Sequence, residues 1–107
     1  MIAKVPENKW TATQRFVDKV ERIFTSMEEY YITSMTSRAG PGILRKDLDR
    51  YDDAMVEARG DVPDFVIAYI EEVNLALRTS FRSVTDDTLT TRFAKRNAMK
   101  LFLKSQP

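Results

Sequence analysis

The stretch RFAKRNAMKLFLK, residues 92–104, interleaves five cations with apolar side chains. Arg92, Arg96, Lys100 and Lys104 recur at every fourth position, so a helix would gather them into one cationic ridge, with Lys95 to its side. Leu89, Phe93, Met99 and Leu103 fall on the same side of the wheel as that ridge, while Ala94, Ala98, Leu101 and Phe102 share another sector and read as the core contacts. Such a helix owns more apolar surface than one core contact consumes. Apolar anchors ringed by cations suit a protein partner. Clustered Lys and Arg with an aromatic to stack suit phosphate and a base. The plainest reading is that long cationic stems lie over ordinary buried neighbours. The expected partner-binding set is Arg92, Phe93, Arg96, Met99, Lys100 and Leu103.

A second constellation is acidic. Residues 45–72 hold nine acids against four bases, and Asp49, Asp52, Asp53 and Glu57 cluster within it. Carboxylates at this spacing are the ligand type that Mg²⁺ or Mn²⁺ takes. A helical metal site, however, needs matching carboxylates from facing helices that point inward. Asp49, Asp52 and Asp53 lie away from Leu44 and Leu48, so they read as a solvated face or as a docking face for a basic partner, with no metal. Tyr30 and Tyr31 beside Glu28 and Glu29 could imitate an acid–base pair, but they read better as amphipathic side chains at the core edge. Glu71-Glu72 lacks the second carboxylate pair that all-α nucleotide pyrophosphohydrolases carry.

Absent residue types exclude more chemistry than the present ones suggest. The chain has no His and no Cys, which removes the common zinc sites, Ser-His-Asp triads and thiolate nucleophiles. The three glycines, Gly40, Gly42 and Gly60, do not have the spacing of a P-loop or of a dinucleotide fingerprint. The reading is therefore non-enzymatic, without a cofactor. No apolar run approaches the roughly 20 residues of a membrane span, and MIAKVPENKW lacks an apolar signal core. The expected location is cytoplasmic, or the host cytoplasm for a virus-encoded chain.

These groups must be positioned by helices, since nothing in the pattern alternates as a strand. Phe16, Val20, Ile23, Met27 and Tyr30, widened by Phe24 and Tyr31, predict a helix over 12–35, with Thr11 and Gln14 forming a capping box. SRAGPG then breaks the chain. Ile43, Leu44, Leu48, Tyr51, Met55 and Ala58 predict a helix over 42–59, with Gly60 as its C-terminal glycine. Val62, Val66, Tyr69, Ile70, Val73, Leu77 and Phe81 predict a third over 63–82, with a weaker strip of Phe65, Ala68 and Leu75 opposite. SVTDDT offers caps for a fourth over 86–104. Trp10 reads as a hydrophobic staple, and residues 1–9 and 105–107 as loose ends. The expected fold is all-α: a compact bundle of about four helices in one domain, 1–107.

No motif carries a resemblance to a named family. Size and composition are shared with phage-encoded inhibitors, bacteriocin immunity proteins and secretion chaperones, a likeness of type only. The functional expectation is a small interaction protein of adaptor, inhibitor or immunity type, with a protein partner and self-association. Nucleic-acid binding by the basic helix is the alternative, and a carboxylate–metal enzyme is a remote third.

Overall fold

The computed structural model describes residues 4–36 and 42–105, apart from the side chains of Leu103 and Ser105. It is a bundle of four helices: α1 Trp10–Ser34, α2 Arg45–Ala58, α3 Asp64–Arg82 and α4 Asp86–Ser105. Each expected helix is present, and among the described residues no strand forms. The expected break at SRAGPG lies outside the described residues except for its last glycine, as do the ends 1–3 and 106–107.

The ends of the helices follow from local chemistry, with two departures from expectation. α1 begins at Trp10 because a 3-10 turn over Glu7–Lys9 leads into it, and the Lys9 N–H donates to the Pro6 carbonyl at 2.9 Å. Thr11 therefore sits inside the first turn, and no side chain caps this end. Residues 5–9 are not a loose end either: Val5 is buried in the core and Trp10 packs against it. α2 starts at Arg45, three residues later than its apolar pattern suggests. The Gly42 N–H donates to the Ser34 hydroxyl at 3.1 Å, and Leu44 is extended before its carbonyl accepts the Asp47 and Leu48 N–H groups.

Gly60, at φ +86°, turns the chain after α2, and the N–H groups of Asp61 and Val62 return to the Ala58 carbonyl. That conformation strains any residue with a Cβ. α3 follows Pro63, whose carbonyl accepts the N–H groups of Val66 and Ile67. A reciprocal pair of hydroxyl contacts opens α4: the Thr88 N–H donates to the Thr85 hydroxyl, and the Thr85 N–H to the Thr88 hydroxyl.

α1 lies against α2 and α3, and α4 packs along α3. One core joins all four helices, through Val17, Val20, Ile23, Phe24 and Met27 of α1, Tyr51 and Ala54 of α2, Val66, Ile70, Val73 and Leu77 of α3, and Met99 of α4. Removing each large aliphatic side chain from water is worth about 1.5–3 kcal/mol, so this cluster is the main source of stability. The bundle measures 48 × 27 × 17 Å between its outermost Cα atoms. It is thin enough that α4, at one edge, keeps much of its circumference in water. α4 also segregates apolar from polar residues far less sharply than the other three helices do. Among the described residues no helix is long and apolar enough to cross a membrane.

Candidate functional site

α4 meets the bundle on a different side from the one its small apolar residues suggest. Ala94, Ala98 and Leu101, expected in the core, are exposed, Leu101 by 65%. Met99 is fully buried, and Phe102 packs against the rings of Phe65 and Tyr69 at centroid distances of 6.2 and 5.9 Å. Arg92 and Arg96 share that inward sector.

The reason lies on the facing helices. α1 presents Glu21 and Glu28, two turns apart on one face, and Arg96 reaches them at 2.5 and 3.3 Å with its guanidinium over the Phe24 ring. Only 12% of the Arg96 side chain meets solvent. The Arg92 guanidinium lies over the rings of Phe81 and Phe93 and donates to the Ser80 hydroxyl at 3.2 Å. Lys95 pairs with Glu72 at 3.1 Å. A planar guanidinium stacks on aromatic faces and pairs with carboxylates while its stem covers apolar neighbours. The two arginines thus serve as core cover, Lys95 is tied into a surface pair, and the continuous external ridge does not form.

The six residues expected to bind a partner are accordingly dispersed. Phe93, 55% exposed, and Lys100 face outward, Arg92 is half-buried, and Arg96 and Met99 are turned in. The Leu103 side chain lies outside the described residues. The acidic residues Asp49, Asp52, Asp53 and Glu57 are all exposed on α2, and Glu57 pairs with Lys19 at 3.0 Å. Among the described residues no three acidic groups are placed to share a metal ion.

Other features emerge only from the packing. Asp47, in the first turn of α2, is completely buried. Its carboxylate accepts from the Ser26 hydroxyl at 2.9 Å and lies 3.5 Å from Arg50. Tyr31 is buried, stacks on Phe81 at 4.2 Å and donates to the Phe81 carbonyl at 3.4 Å, so its hydroxyl is already occupied within the fold. Burial pushes the Tyr51 phenol well above its ordinary range, with the charges of Glu71 and Asp52 adding to the effect and Arg78 opposing it. Burial also raises Tyr69, helped by Glu72. Both phenols therefore hold their protons more firmly than usual, the wrong direction for a base at neutral pH.

What the surface does offer is apolar. Where α1 ends and α4 begins, Ile32, Met35 and Val84 are exposed by 67, 54 and 53%. Together with Tyr31 and Leu89 they line one depression of about 170 Å³, and Glu28 and Arg92 contribute one charge of each sign to its wall. Ile32 stands one turn beyond Glu28 on the α1 row that faces α4, so the seam between the two helices is ionic in the middle and greasy at this end. A second, larger hollow of about 360 Å³ lies between α3 and α4, over Leu75 and Ala76, with Thr79, Thr88 and Thr91 around it and the Glu72–Lys95 pair in its lining. No protein-family model, no curated protein and no solved structure matches the chain.

Proposed function

We propose that this is a non-enzymatic interaction protein of adaptor, inhibitor or immunity type, which binds a protein partner through the depression bounded by Ile32, Met35, Val84 and Leu89. One observation carries the reading: three large aliphatic side chains, each more than half exposed, converge on a single concavity instead of being scattered. Contiguous apolar surface of this kind, edged by charge, characterises association sites. An apolar side chain of the partner fills the hollow and displaces water from Ile32, Met35 and Val84. Glu28, held by Arg96, and Arg92, held by Ser80, close the wall of the hollow from within the fold. The mechanism is occupation of a partner surface.

The nucleic-acid alternative draws less support from the same geometry. Of the five cations in residues 92–104, Arg92, Lys95 and Arg96 are engaged within the fold, which leaves Lys100 and Lys104 for phosphate. Two contacts give a shallow salt slope and weak binding. Affinity capture from the native host with wild type and an Ile32→Asp/Val84→Asp variant tests the proposal. The expected result is a protein captured by wild type and lost with the variant, at unchanged helical content and melting temperature. A partner captured equally by both proteins, or one displaced only by Asp53→Asn on the acidic face, overturns it.

A further inference from the structure

The outward face of α4 carries a stripe with an unusual property. Asp87, Thr90, Ala94, Asn97, Leu101 and Lys104 follow one another at alternating steps of three and four, all are exposed, and none has an ion pair among the described residues. Steps of three and four keep a stripe on one side of a helix and let it lie along a second helix. Read from the other end, the stripe is complementary to itself. Turning a second copy of α4 antiparallel, about an axis midway between residues 95 and 96, sets each Asp87 in a layer with the other copy's Lys104. The same operation sets Thr90 with Leu101 and Ala94 with Asn97.

The geometry points to antiparallel self-association of the chain through this face of α4. Three features of the stripe argue for a second copy in preference to a foreign occupant. First, the charges at the two ends are opposite, and only a reversed copy brings each to its complement; a parallel copy would set Asp87 on Asp87 and Lys104 on Lys104. Second, the middle is uncharged and pairs small with larger side chains, so the backbones approach closely around Ala94 while Leu101 covers Thr90. Third, the two Asn97 amides fall on the same side of the seam, one layer to either side of the axis, where each can hydrogen-bond the other. A polar Asn in a helical seam selects register at some cost in stability. Phe93, 55% exposed, flanks the stripe and extends the covered surface.

The stripe from Thr90 to Leu101 is about 17 Å long at 1.5 Å per residue. A contact of one helix face on each side falls in the small, transient class of interfaces, so the dimer is weak and concentration-dependent. This surface is separate from the Ile32–Met35–Val84 depression, and each reading can fail without the other.

The chain has no cysteine, so single introduced cysteines report on the register without interference. Under mild oxidation Asn97→Cys forms a disulfide-linked dimer, whereas Asp87→Cys and Lys104→Cys do not dimerise alone but cross-link to each other when mixed. Residues 87 and 104 are about 25 Å apart along one helix, so self-linking of Asp87→Cys would require a different orientation. Sedimentation analysis supplies the second arm. Leu101→Asp and Lys104→Asp each weaken the dimer about tenfold or more, and Asp87→Lys combined with Lys104→Asp restores it. A strict monomer up to millimolar concentration, self-linking of Asp87→Cys, or failure of the charge-swapped double variant to recover overturns the proposal.

Discussion

Replacing Arg96 with Ala is the most informative perturbation of the fold, because it separates the observed docking of α4 from the one its alanines suggest. The guanidinium is 12% exposed and serves Glu21 and Glu28, each 29% exposed, while covering Phe24. Truncation removes the charge-assisted hydrogen bond to Glu21, worth about 1.5–3 kcal/mol, together with the ion pair to Glu28, and leaves two carboxylates facing a gap. Water still reaches both glutamates and offsets part of that loss, so the expected cost is about 2–3 kcal/mol. For a chain of this size that lowers the melting temperature by about 10 °C or more. Urea unfolding followed by circular dichroism measures it, and a cycle with Glu21→Gln and Glu28→Gln should return a coupling of about 1 kcal/mol or more. The control is Leu101→Asp, measured on dilute protein, which should stay within about 0.5 kcal/mol of wild type. A cost below about 0.5 kcal/mol for Arg96→Ala with a large cost for Leu101→Asp would mean instead that α4 is docked through Ala94, Ala98 and Leu101.

Three further outcomes are expected. Met99→Ala should cost about 2–4 kcal/mol in urea unfolding, because the side chain is fully buried, while the exposed Phe93→Ala should cost well under half of that. Asp47→Ala should cost about 1–3 kcal/mol by removing the acceptor of the half-buried Ser26 contact, and Ser26→Ala should lose most of its own effect in that background. The folded-state pKa of Tyr51 is raised, so its contribution is fully present below the ordinary phenol range near 10 and is lost as the pH rises beyond it. Alkaline denaturation should therefore set in at higher pH for Tyr51→Phe than for wild type, with phenolate absorbance as the second readout.

The helices were legible because three of them repeat a dominant apolar stripe. Val20, Ile23, Phe24 and Met27 in α1 have no competing apolar side, and Val66, Ile70, Val73 and Leu77 in α3 outweigh the weaker strip of Phe65, Ala68 and Leu75, so periodicity assigns both the helix and its buried face. Gly60 was legible for a different reason, since a glycine after an amphipathic run marks a chain reversal that needs positive φ. The orientation of α4 was not. A wheel scores Arg as polar wherever it stands, but an Arg between Glu21 and Glu28 and above Phe24 is an inward residue, and those partners lie 75 and 68 residues away in sequence. Asp47 escaped for the same reason, because its burial depends on a hydroxyl contributed by α1. The apolar depression is assembled from the end of α1, the α3–α4 turn and the first turn of α4, so no local window contains it. Local spacing alone turns Asp49, Asp52 and Asp53 away from the apolar face of α2, as a solvated or docking face, and all three are exposed, as is Glu57.

The claim that matters most for function is that Ile32, Met35 and Val84 together form a docking surface for another protein. A photo-cross-linking amino acid placed at Met35 in the native host tests it most directly, with the same probe at the exposed Asp53 of α2 as the reference position. A discrete protein adduct is expected from position 35, absent from position 53 and lost when Ile32 is changed to Asp. Identical adduct patterns from the two positions, or an adduct at 35 that survives Ile32→Asp undiminished, would contradict it.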